Sequence, residues 1–163
     1  MFSMDDDTRL HSLLVDLVTN SHRFTRLASS FGSEDHPRPW ARALALLDDH
    51  GELRISEFAR IDRCSQPSAT ALLQKLADHG YVARRPDPDD ARAVRVSITD
   101  PGRDWLTVAR NEIAGALAPH FADLEPEQLE RLTQGLSELR SIVKSSAHAG
   151  RRIHPTTHRR RWP

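Results

Sequence analysis

The chain has 163 residues, 38% of them apolar and 28% charged, which fits one ordinary domain or a small domain with additional helices. It holds no apolar run near the ~18 residues of a membrane span, no visible secretory signal and a single cysteine. A soluble cytoplasmic protein without a disulfide framework or a thiolate-rich zinc site is therefore expected. The formal net charge is 0, whereas nucleic-acid binders are usually basic.

The neutral total hides an uneven distribution of charge. Residues 1–50 carry 5 basic and 8 acidic side chains, 51–104 carry 9 of each, 105–140 carry 3 and 6, and 141–163 carry 6 basic and none acidic. The basic end is poor in apolar residues, which predicts a disordered tail over 147–163. Such a tail is either a solvated terminus or an arm that adds non-specific phosphate affinity.

Apolar spacing predicts three helices in the first part of the chain. A stripe at three- and four-residue intervals indicates an amphipathic helix over 8–28, and the dense apolar run 40–50 indicates a mostly buried helix. After a short extended segment, Ser56 is expected to cap a helix through Arg63. Because Arg63 stands where glycine is common in a tight turn between two helices, either the turn is less tight or Arg63 bears mild strain.

The next helix has two different faces. Ser65 is expected to cap it, Pro67 fits its first turn and Gly80 ends it. One face is apolar, and the other is small, nearly uncharged and rich in hydrogen-bonding groups.

Two short strands follow, over 81–85 and 93–98, joined by a long polar turn. Thr99 is then expected to cap a helix that runs towards Phe121, and a last helix begins at Glu127. The fold class is therefore mainly α with a small β-wing. Its core is a winged helix-turn-helix, flanked by N- and C-terminal helices.

In a winged helix-turn-helix the second helix enters the DNA major groove, where small polar side chains reach base edges. Gln can pair bidentately with adenine, and Ser or Thr can donate to bases or phosphates. The candidates for major-groove contact are Ser65, Gln66, Ser68, Thr70, Ala71, Gln74 and Lys75.

Residues 55–103 resemble the DNA-binding core of the MarR family of bacterial transcriptional regulators. The resemblance is most specific in the wing, which has an acidic turn, the step Asp90-Ala91-Arg92, an alternating strand and the closing sequence Thr99-Asp100-Pro101-Gly102-Arg103. It implies a homodimer that binds a palindromic operator, with Arg92 in the minor groove. Asp90 is expected to orient Arg92 by a charge-assisted hydrogen bond, and Arg84, Arg85 and Arg95 are candidates for phosphate contacts. The alternative is a solvated acidic turn with incidental arginines.

The same resemblance implies dimerisation through the first and last helices, and their apolar seams support it independently. The candidate residues are Leu10, Leu13, Leu17, Leu129, Leu132, Leu136, Leu139 and Val143. They could instead form the core of a monomer. The expected organisation is a dimerisation helix with linker over 1–36, a DNA-binding domain over 37–103, dimerisation helices over 104–146 and the tail over 147–163.

The function this predicts is a ligand-responsive DNA-binding regulator, most often a repressor, released by a small aromatic or anionic effector. His11, Arg23, Trp40 and Trp105 are candidates for an effector cleft. The alternatives are a winged-helix protein-interaction module without DNA binding, a redox-sensing regulator that uses Cys64, and a small enzyme. Cys64 is otherwise a packing residue in the turn. No catalytic constellation, metal site or cofactor motif stands out, so none is expected.

Overall fold

A computed structural model describes the backbone of residues 4–150 and the side chains of residues 6–146. The helices are α1 Met4–Ala28, α2 Arg38–His50, α3 Ile55–Asp62, α4 Gln66–Asp78, α5 Asp100–Leu117 and α6 Pro126–Gly150, with 3₁₀ turns at Ser29–Phe31 and Ala118–Phe121. The strands are β1 Leu53–Arg54, β2 Val82–Pro86 and β3 Val94–Ile98. The mainly helical fold with a small sheet is confirmed. Because α6 extends to Gly150, the first four residues of the predicted tail are helical, and the rest lies outside the described residues.

The core of the winged helix-turn-helix is built where the apolar faces of α2, α3 and α4 meet the sheet. The side chains of Leu44, Leu47, Phe58 and Leu73 are fully buried there. Burial of each such side chain contributes about 1.5–3 kcal/mol. The apolar face of α4 is therefore buried in this core, and its polar face points to solvent.

The sheet is antiparallel in the order β1-β3-β2, so β3, the second strand of the hairpin, is central. Val96 pairs with Leu53 on one side and with Arg84 on the other, and it is fully buried. The hairpin β2–β3 with its turn, residues 82–98, is called the wing below. The extended segment predicted before α3 is β1, the third strand of the sheet.

Two helix starts differ in how well the sequence predicted them. Thr99 caps α5 as predicted, because its hydroxyl accepts a hydrogen bond from the Gly102 N–H at 3.2 Å. The predicted cap at Ser56 is wrong, since α3 begins one residue earlier and its N-cap is Arg54. The carboxylate of Glu57 accepts from the Arg54 N–H at 2.9 Å, so a longer side chain three residues downstream does the capping.

Aromatic rings connect three helices around the base of the wing. The ring of Trp40, on α2, lies with its centroid 6.0 Å from Trp105 on α5 and 4.7 Å from His79 at the end of α4. Tyr81 packs beside both tryptophans. These contacts hold α4 and the wing in one arrangement.

The chain divides into two compact units, Met1–Pro119 and His120–Pro163. The first contains α1 to α5 and the sheet, and the second contains α6. Among the described helices, none combines the length and apolar character that crossing a membrane requires.

Candidate nucleic-acid interface

The turn that leads into α4 has a left-handed residue at the predicted position. Arg63 has φ 55° and ψ 38°, and among the described residues it is the one non-glycine residue with a positive φ. The sequence left open a less tight turn or mild strain at Arg63, and the left-handed backbone of Arg63 shows that the second is correct. Ser65 caps α4 as predicted, since its Oγ accepts from the Ser68 N–H at 3.2 Å.

The outward face of α4 forms one wall of an open surface groove, and β2 supplies the other. Four predicted base-contact residues line it together with one predicted phosphate-contact residue and one proline: Gln66, Thr70, Ala71, Gln74, Arg84 and Pro67. The other predicted base-contact residues, Ser65, Ser68 and Lys75, do not line the groove. It is a concave, polar-edged surface at the N-terminal half of α4, where a winged helix-turn-helix meets base edges.

The groove residues differ in how much hydrogen-bonding capacity they retain. The Thr70 hydroxyl donates to the Gln66 carbonyl at 2.9 Å and is left to act as an acceptor. The Gln74 amide is fixed at both ends, because its Nε2 donates to Asp78 at 2.7 Å and its Oε1 accepts from Arg84. In the described part of the chain, the Gln66 side chain has no protein hydrogen bond. Gln66 is thus the groove residue with both donor and acceptor free for a base edge.

Asp87 organises the wing from inside. Its side chain is fully buried, and it accepts hydrogen bonds from Arg54 Nε at 2.7 Å and Arg95 Nε at 2.6 Å. Its Oδ1 also accepts from the backbone N–H groups of Asp89 at 2.9 Å and Asp90 at 3.1 Å. The hydrogen bond from Arg54, aided by that from Arg95, holds the pKa of Asp87 well below its ordinary value. One carboxylate therefore joins the start of α3, strand β3 and the wing turn.

The three predicted phosphate-contact residues all have protein partners. Arg84 donates to Gln74, Arg95 donates to Asp87, and Arg85 donates from Nε and Nη2 to both carboxylate oxygens of Glu52. The hydrogen bond from Arg85 lowers the pKa of Glu52. Sequence reasoning missed Glu52 and the buried position of Asp87, because Arg85 is 33 residues from Glu52 and Arg54 is 33 residues from Asp87 in the chain.

The predicted wing residue Arg92 lies exposed in the turn. Asp90 contacts it differently from the prediction, since Asp90 Oδ1 accepts from the Arg92 backbone N–H at 3.0 Å and not from its guanidinium. The short side chain closes a local turn onto the backbone, as Asp commonly does. Within the described residues, the Arg92 guanidinium has no ion pair, so it is free for an external anion.

Cys64 lies between the turn and the cap, half-buried. Burial raises the pKa of its thiol, and the neighbouring Asp62 raises it further. Because the thiolate is the reactive form, this environment opposes the redox role and favours packing.

The predicted dimerisation residues lie along α1 and α6. Leu13 is 57% exposed and Val143 is 67% exposed, whereas Leu17 and Leu139 are half-buried. Further exposed apolar residues on the same helices are Leu14, Val15, Val18, Phe24, Leu27 and Ile142.

A second concave feature lies between α1, α2 and α5, with a volume of about 430 Å³. Its lining is mainly apolar with a cationic edge: Thr25, Ser29, Gly32, His36, Arg38, Pro39, Ala41, Arg42, Ala109 and Ile113. His36 and Arg42 already face Glu112 and Asp62. None of the four residues suggested for an effector cleft lines this cavity. Two of them, Trp40 and Trp105, pack together at the base of the wing instead.

Comparisons with known proteins agree with this geometry. The model of the MarR family matches residues 38–94. An HTH-type transcriptional regulator of Mycobacterium bovis is 30% identical over 145 residues, covering 88% of this chain and 99% of that protein. The apo structure of MarR from E. coli has a TM-score of 0.59 at 18% identity, covering 85% of this chain and 97% of that one. BpsR of Bordetella bronchiseptica, whose DNA binding is regulated by 6-hydroxynicotinic acid, has a TM-score of 0.51 at 16% identity, covering 78% and 98%. The chain belongs to the MarR family of transcriptional regulators.

Proposed function

We propose that this chain is a sequence-specific DNA-binding repressor that binds a palindromic operator as a homodimer and is released by a small effector. The observation that carries the proposal is the groove of α4 beside a wing whose Arg92 guanidinium has no ion pair in the described chain. Gln66 is suited to adenine, and an exposed guanidinium at a hairpin turn suits the narrow minor groove of A·T-rich DNA. Recognition then combines base edges with groove shape.

The homodimer is supported by the apolar faces of α1 and α6. Leu10, Leu132 and Leu136 are all more than half exposed in the single chain. An exposed apolar face on a helix marks a protein interaction site, and the regular seam of α6 favours a second copy as the partner. Two recognition helices related by a two-fold axis would then read half-sites about one helical turn apart.

An effector of aromatic or anionic character is supported by the cavity between α1, α2 and α5. Its volume of about 430 Å³ is in the range of small-molecule sites, and its lining is mainly apolar. Arg38 at its edge has no ion pair within the described residues, so it can meet a carboxylate. The regulation of BpsR by an aromatic acid agrees with that chemistry. A ligand that binds one dimer geometry better than another weakens DNA binding by that difference in affinity.

The test begins with a randomised 30-bp duplex library, from which the wild-type protein selects its preferred sequence. We expect a palindromic duplex to be enriched and Arg92→Ala to bind it at least about tenfold more weakly, with an unchanged dimer mass by light scattering. Arg131→Ala, which removes the same charge from an exposed position on α6, is the matched control and should bind like wild type.

The proposal fails if the wild type enriches no duplex, an outcome that favours the protein-interaction module. It also fails if light scattering shows a monomer. Unchanged affinity of Arg92→Ala removes the wing from the mechanism. Adding 6-hydroxynicotinic acid and benzoate to the wild-type complex tests the effector class: release supports it, and unchanged affinity with both contradicts it.

A further inference from the structure

Three arginines form a row across the sheet. Strand pairing places Arg54 opposite Arg95 and Arg95 opposite Arg85, so that one arginine from each strand lies side by side. Like charges directly opposite one another destabilise a sheet. Without counter-ions, this arginine row would also be a ready-made stripe for DNA phosphates, which accept bidentate hydrogen bonds from guanidinium groups.

Carboxylates neutralise the row from within the protein. Asp87 is the buried partner of Arg54 and Arg95, and Asp89 lies 3.6 Å from Arg95 Nη2. Glu52 accepts both hydrogen bonds of the Arg85 fork and lies 3.7 Å from Arg95 Nη1. Glu52 differs from Asp87 because its side chain is 23% exposed at the edge of the row, where solvent can reach it.

We propose that Glu52 is a specificity-determining residue that keeps the arginine row from binding the phosphates of non-operator DNA. Its carboxylate occupies the Arg85 fork in the way a phosphate would, and it leaves a negative charge near any phosphate that approaches. Non-specific binding is supplied almost entirely by phosphate neutralisation, so an internal acceptor on Arg85 weakens it selectively. Base-edge contacts of the groove are unaffected. The inference rests on the proposed DNA-binding function.

The test compares salt dependence on a 25-bp duplex of scrambled sequence, measured by fluorescence anisotropy at 50, 100 and 200 mM NaCl. Glu52→Gln keeps the shape of the side chain and removes its charge. Each phosphate newly bound steepens the slope of log affinity against log salt by about 0.9. With Arg85 released, the loss of affinity from 50 to 200 mM should therefore be about 3.5-fold greater than for wild type.

Three variants make this result specific. Asp104→Asn removes one charge from an exposed position on α5 and should keep the wild-type slope. Glu52→Gln/Arg85→Ala should return to that slope, because the released guanidinium is gone. Arg85→Ala alone should also keep the wild-type slope, because Glu52 already neutralises Arg85. This variant tests the inference even if Glu52→Gln does not fold.

A Glu52→Gln slope equal to that of wild type overturns the inference, as does a shallower slope for Arg85→Ala alone. Equal steepening by Asp104→Asn overturns it too, since the effect would then be one of net charge. A wild type that selects no duplex from the library instead defeats the proposed function itself. The two failures are thus distinguished by whether the wild type binds its selected duplex.

Discussion

Replacing Gly102 by alanine should loosen the junction between the wing and α5. Gly102 is in the first turn of α5, where a Cβ would lie 2.2 Å from the Tyr81 carbonyl oxygen and 3.0 Å from Ile98 Cγ1. An ordinary carbon-to-oxygen contact is about 3.3 Å or more, so the two backbones must separate by about 1 Å. The obstacle is main chain, which has no rotamer to move away.

The cost follows from what that separation disturbs. Overpacking of this kind costs about 1–3 kcal/mol. The Thr99 N–H donates to the Tyr81 oxygen at 3.0 Å, and losing that hydrogen bond adds about 1 kcal/mol. The total of about 2–4 kcal/mol is a large share of the 5–15 kcal/mol by which proteins are stable. For a chain of this size it corresponds to a lowering of Tm by about 5–15 °C.

The assay is thermal unfolding followed by circular dichroism, with Gly115→Ala as the matched control. Gly115 lies in the same helix, and nothing is within 4 Å of the position its Cβ would take. Alanine there should raise stability by up to about 1 kcal/mol, since glycine weakens a helix interior. If Gly102→Ala unfolds within 1 °C of wild type, or no lower than Gly115→Ala, the close approach of Tyr81 to α5 is refuted.

Two further predictions concern titratable groups. Because Arg54 and Arg95 hold the pKa of Asp87 below its ordinary value near 4, its contribution to stability is complete above about pH 5 and is lost as pH falls towards the lowered pKa. Asp87→Asn should therefore unfold at a lower temperature than wild type at pH 7, and the difference should shrink between pH 5 and pH 3; a constant difference would contradict the role of the charge. Since burial and Asp62 raise the pKa of the Cys64 thiol, iodoacetamide should modify Cys64 more slowly at pH 7.5 than it modifies glutathione, as followed by mass spectrometry. An equal or faster rate would restore the redox alternative.

Local signals explain what the sequence could predict of this fold. Ser65 and Thr99 cap their helices through hydrogen bonds to residues three positions away, so the pattern is contained in a short stretch of sequence. The two faces of α4 follow from helical periodicity, which depends only on spacing within one element. The predicted cap of α3 at Ser56 is wrong because the helix begins at Ile55, with Arg54 as N-cap and its N–H bound by the carboxylate of Glu57.

The wing could not be predicted to the same depth because its contacts depend on strand pairing. Asp87 acquires Arg54, and Glu52 acquires Arg85, only when β1 pairs with β3, which joins segments about 40 residues apart. Asp87 and Arg95 already share the hairpin. The sequence could therefore place Arg85 and Arg95 on the wing but could not reveal their partners.

The neutral charge of the chain acquires a physical meaning in this arrangement. A regulator must find one operator among roughly 10⁶–10⁹ non-specific sites, so occupancy depends on the ratio of specific to non-specific affinity. Strong base contacts raise that ratio, and fewer free phosphate-binding groups raise it equally. With Arg85 and Arg95 bound internally, Arg92 in the wing turn remains exposed and without an ion pair among the described residues, for a groove whose shape it must match. A dimer then supplies two copies of the α4 groove and wing, and only an operator with correctly spaced half-sites binds both copies at once.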